Sequence, residues 1–246
     1  GGGATPTAAA EATEVPAEVT EAAVLPTTGP TMTPEPTIVP TPSAPPGMVM
    51  VPDGEFERGV TNEELDAAVL SCIDEDTSAS NALCLREYFT DAQPVEQITL
   101  STFFIDVTEV TNVAYAQCVA AEVCTPPSNQ QFYADPAFAQ HPVVFVTYEQ
   151  ASTYCTFASR RLPTEAEWEK AARWDNIGLN SRIWPWGDTF TPGQANTASA
   201  GQGGTSAVQA FEQDISASGV RGMAGNVSEW VSDWYSPSYT GLGQLN

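Results

Sequence analysis

The chain is 246 residues long and carries 31 acidic against 8 basic side chains and a single histidine, for a formal net charge of −23. So few cations can neither displace the counterions of a nucleic acid nor hold an anionic membrane surface. One histidine excludes a His-rich metal centre, and no apolar run approaches the roughly 18 residues that direct membrane insertion needs.

The first residues, Gly1-Gly2-Gly3, carry neither a methionine nor a basic-then-apolar leader, as expected of a piece of a longer gene product. Residues 1–47 hold ten of the 20 prolines, ten threonines and five glutamates, with no aromatic, lysine or arginine. A segment with so little apolar area cannot offset its chain entropy, so a disordered or extended linker is expected, with polyproline II over 31–37 and 40–42. The domain that follows, 48–246, holds every Trp, Tyr and Phe and is long enough for one core.

Within that domain, Met48–Val51 is predicted as a strand, turned by Pro52-Asp53-Gly54 so that 55–58 returns as its hairpin mate. Residues 61–94 read as an acidic, solvated insertion at the surface. The alternating run 95–100 continues into an apolar strand over 102–107. Thr111 is placed to cap a helix whose Tyr115, Cys118 and Val119 share one face. Thr147 and Gln150 form a capping-box pattern ahead of a helix with Ala151, Tyr154, Cys155 and Ala158 on one side. Thr164 and Glu167 repeat that pattern for a helix ending near Trp174, with Lys170 and Arg173 as favourable charges at its C-terminus. From 175 to 220 the chain is polar and aperiodic. So long an irregular stretch must be pinned by something, and a bound cation is one candidate.

Five cysteines remain to be placed. Cys72 with Cys84, and Cys118 with Cys124, each flank a polar loop and point to disulfides in an oxidising compartment; closing 72–84 would contribute roughly 3 kcal/mol. A four-cysteine zinc site would need shorter spacings, and free thiols are the other reading. Cys155, on the apolar face of its helix, reads as a small buried hydrophobe. Its use as a catalytic thiol would need a base, and the one histidine, His141, precedes Pro142 at the start of an apolar run.

Several motifs occur in a distinctive order: Asp106 with EVTN over 109–112, HPV over 141–143, RLPTEAEWEKAAR over 161–173, WPWG over 184–187 and GMAGNVSEW over 222–230. Together, over about 48–240, they resemble the formylglycine-generating enzyme or sulfatase-modifying factor family. The resemblance implies an α+β, C-type-lectin-like fold with little regular secondary structure and bound Ca2+. It also implies oxidation of a substrate cysteine, in a sulfatase-type Cys-x-Pro-x-Arg peptide, to formylglycine with O2 and a Cu+ ion held by two cysteines. Relatives on the same fold include extracellular binding or sensing modules of bacterial membrane kinases, and sulfoxide synthases with an added iron-binding domain. An extracytoplasmic setting and a protein or peptide partner follow for either of the first two.

Carried onto this chain, one calcium site would use the Asn196 side chain and the Thr197 carbonyl, although 198–204 offers no carboxylate. A second would use the carbonyls of Gly225 and Val227 and the carboxylate of Glu229, where the family usually adds an Asp or Asn at the position of Gly222. The simpler alternative pairs Glu229 with Arg221. The Asn226-Val227-Ser228 sequon reads as structural for the same turn. The family's copper-binding cysteines follow the GNV-containing motif, and no residue up to Asn246 matches them, so no catalytic residue is assigned. The family partner of Cys155 lies in that same segment, so a truncated chain would leave Cys155 unpaired and apolar surface exposed.

Overall fold

The computed structural model describes residues 43–75 and 84–239. The linker reading for 1–47 therefore falls, up to residue 42, outside the described residues.

The first strands correct the predicted hairpin. β1 (Met48–Val51) pairs antiparallel with β4 (Phe103–Asp106), and β2 (Gly54–Arg58) with β3 (Glu96–Leu100). Met48 faces Asp106 and Gly54 faces Leu100, so both ladders keep one register and form a single ribbon interrupted at 52–53 and 101–102. Pro52 cannot donate to a ladder, which accounts for the break. The chain runs on instead of reversing because other groups hold the gap. Asp53 and Thr102 bond across it, and the Lys170 ammonium donates to the carbonyls of Pro52 and Gly54 at 2.9 Å each.

The acidic insertion is also more ordered than a surface loop. α1 (Asn62–Glu75) starts from a reciprocal box, in which Thr61 Oγ1 accepts the Glu64 N–H while Glu64 Oε2 accepts the Thr61 N–H. Leu65 is fully buried, and Glu64 pairs with Arg173. The Cys72–Cys84 disulfide ties this helix to the segment that follows it.

The three predicted helices form where their caps place them. α2 (Asn112–Ala120) is capped by Thr111; α3 (Tyr148–Phe157) and α4 (Glu165–Arg173) each carry a complete capping box. Tyr115 and Cys118 of α2, with Cys124, make a small core closed by the Cys118–Cys124 disulfide. The main core sets Val51, Phe56, Ile98, Leu100 and Phe103 of the ribbon against Ala171 and Ala172 of α4, with Trp174, Val220 and Met223.

The end of α4 differs in role from the dipole reading. Lys170 is fully buried under the ribbon, and Arg173 donates to the carbonyls of Gly59 and Arg182 as well as to Glu64 and Glu169. Both act as tertiary pins. Gly59 sits at φ +89°, and a Cβ there would stand 2.5 Å from the Pro94 carbonyl oxygen and 2.9 Å from that of Ala92. Gly59→Ala therefore combines backbone strain with a backbone clash, and we expect a loss of about 3 kcal/mol, read from a lower urea midpoint at unchanged m.

Beyond α4, β5 (Trp174–Asp175) and β6 (Asn180–Ser181) form a short hairpin inside the stretch predicted as irregular. Asp175 accepts the N–H groups of Ile177 and Gly178 and pairs with Arg182, which together hold its carboxyl down at about 2. The rest, to residue 239, is turns and isolated bridges apart from one 3-10 turn over Ala198–Ala200.

Candidate functional site

An open cavity of about 1120 Å³ lies between β4, α3 and the 222–230 turn. Its walls are largely apolar and aromatic, among them Ile105, Val143, Tyr154, Met223 and Trp230; Cys155 also lines it, and its charged members are Asp106, Glu109, Arg160, Arg161, Glu167, Arg221 and Glu229. Tyr148 meets Trp230 edge to face, and the Trp230 indole N–H donates to the Val146 carbonyl, which fixes this aromatic pair at the rim.

The polar wall is built around Asn226. Its amide uses all four hydrogen-bonding positions. Nδ2 donates to Glu109 Oε1 at 2.8 Å and to the Ser206 carbonyl at 3.2 Å, while Oδ1 accepts from Asn196 Nδ2 at 2.9 Å and from the Ser206 N–H at 2.8 Å. The Asn226 N–H adds a bond to the Asn196 carbonyl, and the residue sits at φ +67°, a left-handed conformation that asparagine tolerates. Gly225 is required beside it, since a Cβ there would stand 2.6 Å from the Asn196 carbonyl oxygen. With its amide nitrogen so engaged, Asn226 serves structure, as expected of the sequon.

The two motifs read as separate ion sites are thus one cluster. Asn196 spends its amide N–H groups on Gly204 and Asn226, and the Thr197 carbonyl accepts the Ala200 N–H. Carbonyl oxygens such as theirs are ligands that a hard divalent ion accepts, and residues 198–204 add no carboxylate beside them. The Gly225 carbonyl accepts the Val227 N–H. Glu229 lies on an exposed turn, but its carboxylate accepts the Trp168 indole N–H across the cavity wall. Partial enclosure by protein raises its pKa, the Trp168 bond opposes that rise and Asp214 adds to it. The alternative pairing of Glu229 with Arg221 does not form; Arg221 Nη1 donates to the Glu212 carbonyl instead.

Two acids outside every predicted site join this cluster. Burial pushes Glu109 up to about 7, against its bond from Asn226 and with help from the charges of Glu229 and Asp214. Asp214, 2 % exposed, is pushed up to about 6 by burial, opposed by the Ala224 N–H and by Arg221. Glu109 belongs to the EVTN motif, so its position was visible in the sequence; Asp214 lay in an aperiodic run without a signal. Among the described residues, no three acidic, histidine or cysteine side chains converge closely enough to hold an ion by themselves.

The thiols are accounted for. Cys72, Cys84, Cys118 and Cys124 are in the two expected disulfides, and Cys155 is free and lines the cavity. Burial raises its pKa, nearby Asp106 raises it further, and Arg160, paired with Asp106, opposes both. His141 is engaged with Thr205 and packs on Phe138. A copper ion held by two thiolates does not fit this set, which offers one protonated thiol.

The family described as the sulfatase-modifying factor enzyme 1-like domain matches residues 34–245. The serine/threonine-protein kinase Pkn1 of Chlamydia trachomatis serovar L2 is 38% identical over 162 residues, 59% of this chain and 25% of that protein. The formylglycine-generating enzyme of Streptomyces coelicolor is 43% identical over 112 residues, 40% of this chain and 34% of that enzyme. The chain thus spans only a quarter to a third of the length of these relatives. Among solved structures, CarF superposes with a TM-score of 0.50 at 19% identity, covering 78% of this chain and 82% of the other, a likeness of fold.

Proposed function

This chain belongs to the sulfatase-modifying factor family, and from that premise we propose that its domain, of C-type-lectin-like build, is a recognition module that holds a protein segment in the cavity without oxidising it. The observation that carries this reading is the cavity itself. Within these residues four of the five cysteines are in disulfides, and the fifth, half-buried on the cavity wall, lies near a carboxylate that disfavours its thiolate, the nucleophilic and metal-binding form. What the residues do supply is a large apolar and aromatic recess with a few fixed polar groups, the composition of a binding site. The likeness to Pkn1 supports attachment to a kinase in the longer gene product. The disulfides support an extracytoplasmic setting, and among the described residues no helix is long and apolar enough to cross a membrane.

A second reading is favoured by the 43% identity to a formylglycine-generating enzyme. If the full gene adds a cysteine pair, the same cavity would present a substrate cysteine for oxidation to formylglycine. One experiment separates the two. A Cys-x-Pro-x-Arg peptide is titrated into this chain while tryptophan fluorescence is followed, and the peptide's thiol and any aldehyde are then quantified by mass spectrometry with copper and O2 present. Saturable quenching with the thiol intact is the expected result. Aldehyde formation by this chain would overturn the non-catalytic reading, and absence of any saturable signal would remove this peptide class as the cavity's occupant.

A further inference from the structure

A second cavity, of about 580 Å³, shares the Arg161–Glu167 pair with the first and is bounded by the 100–103 bend, by α3 and by the 161–167 segment. Tyr148, Ser152 and Thr156 stand at i, i+4 and i+8 and so line it as one stripe of α3. Seven of the twelve residues around it carry hydroxyl groups, and its charged members are Arg161 and Glu167, one of each sign. In a chain of net charge −23 this recess is therefore balanced and rich in hydroxyls. Thr102, Thr156, Thr164 and Ser232 spend their hydroxyls within the protein. Those of Ser101, Tyr148 and Ser152 have no partner among the described residues.

The guanidinium of Arg161 is half used. Its outer edge grips Glu167, Nη1 to Oε2 and Nη2 to Oε1 at 2.6 Å each, and Nη1 also donates to the Leu162 carbonyl. The inner edge, formed by Nε–H and the second Nη2–H, donates to nothing within the protein, and the side chain is 65 % exposed. Glu167 Oε1 accepts only from Arg161, so it keeps room for a further donor. We propose that this second cavity binds a neutral sugar residue through two hydroxyls on neighbouring ring carbons. The inner edge of Arg161 presents two parallel donors at the spacing of such a pair. Ser101, Ser152 and Glu167 Oε1 take up the hydroxyls' own protons, and the Tyr148 ring, held edge to face by Trp230, gives the sugar's C–H face an apolar flank. A ligand displaces ordered water without loss only where it reproduces that water's hydrogen bonds, which sugar hydroxyls do in a hydroxyl-lined recess. An anion is disfavoured because Glu167 already neutralises the guanidinium. An apolar side chain would find little surface, since Leu100, Phe103 and Leu162 are buried. This inference is independent of what the larger cavity holds.

The test uses the whole chain. The methyl pyranosides of glucose, galactose, mannose and N-acetylglucosamine are titrated singly and followed by saturation-transfer difference NMR. The expected result is saturable transfer to at least one of them, with a dissociation constant of about 1 mM, and a loss of about tenfold or more in affinity for both Ser152→Ala and Arg161→Lys. Ser152→Ala removes a hydroxyl that no protein group uses, so it leaves the fold intact. Arg161→Lys keeps a positive charge beside Glu167 and removes the inner pair of donors. Glu229→Gln, which alters only the first cavity, should bind the sugar as the parent does. Absence of saturable transfer to all four sugars overturns the proposal. So does parental affinity in both Ser152→Ala and Arg161→Lys, which would put the sugar elsewhere, and so does displacement of the sugar by an equal concentration of sulfate, which would make the Arg161 edge an anion site.

Discussion

Asn226→Ala should lower the stability of the domain by about 3 to 4 kcal/mol, a large share of the roughly 5 to 15 kcal/mol that holds a domain of this size together. The substitution leaves the Ser206 N–H and carbonyl, the Asn196 amide and one Glu109 oxygen without their partner, and Ser206 is buried. Alanine also adopts the left-handed backbone at 226 poorly, at a cost of about 1 kcal/mol. Asn226→Gly removes the same hydrogen bonds but tolerates the conformation, so it should recover about 1 kcal/mol of the loss. Chemical denaturation of both variants beside the parent separates the two contributions.

Lys170→Met should cost about 3 kcal/mol. Methionine reproduces most of the buried stem and removes the ammonium, so the Pro52 and Gly54 carbonyls lose their shared donor at the break in the ribbon. A surface lysine would show almost no effect, so the size of the loss reports the burial. Burial lowers the Lys170 pKa, and the Asp53 charge opposes that. The two substitutions lie in different parts of the fold, and their effects should add in the double variant.

These two residues also show what the sequence could and could not reveal. Lys170 was legible as a charge at a helix end, because helix capping and the dipole are local. Its burial was not, because it depends on a strand break more than a hundred residues earlier. The caps at Thr111, Thr147 and Thr164 were readable for the same local reason, and so was the Thr61–Glu64 box, whose significance the acidic composition of 61–94 concealed. Strand existence was readable from alternation, but pairing was not. A Pro-Asp-Gly sequence reads as a reversal unless the lysine that holds it open is known.

At the site, the motifs at 195–197 and 225–229 were both visible as special turns. That they form one cluster was not, since the bond between Asn196 and Asn226 spans 30 residues of aperiodic chain. Glu109 was visible as part of a motif without a role, and Asp214 had no signal at all. The disulfides followed from spacing and from the compartment that the composition implied, and both are present.

Holding the irregular half of the domain through Asn226 is what gives the cavity its polar wall and brings Glu109 to Gly222. Amide hydrogen exchange on Asn226→Gly tests this most directly. The expected result is a joint loss of protection across 193–206 and 222–229, including the Ser206 amide, with the ribbon of 48–58 and 96–106 exchanging as in the parent. Unchanged exchange over 193–206 would contradict it.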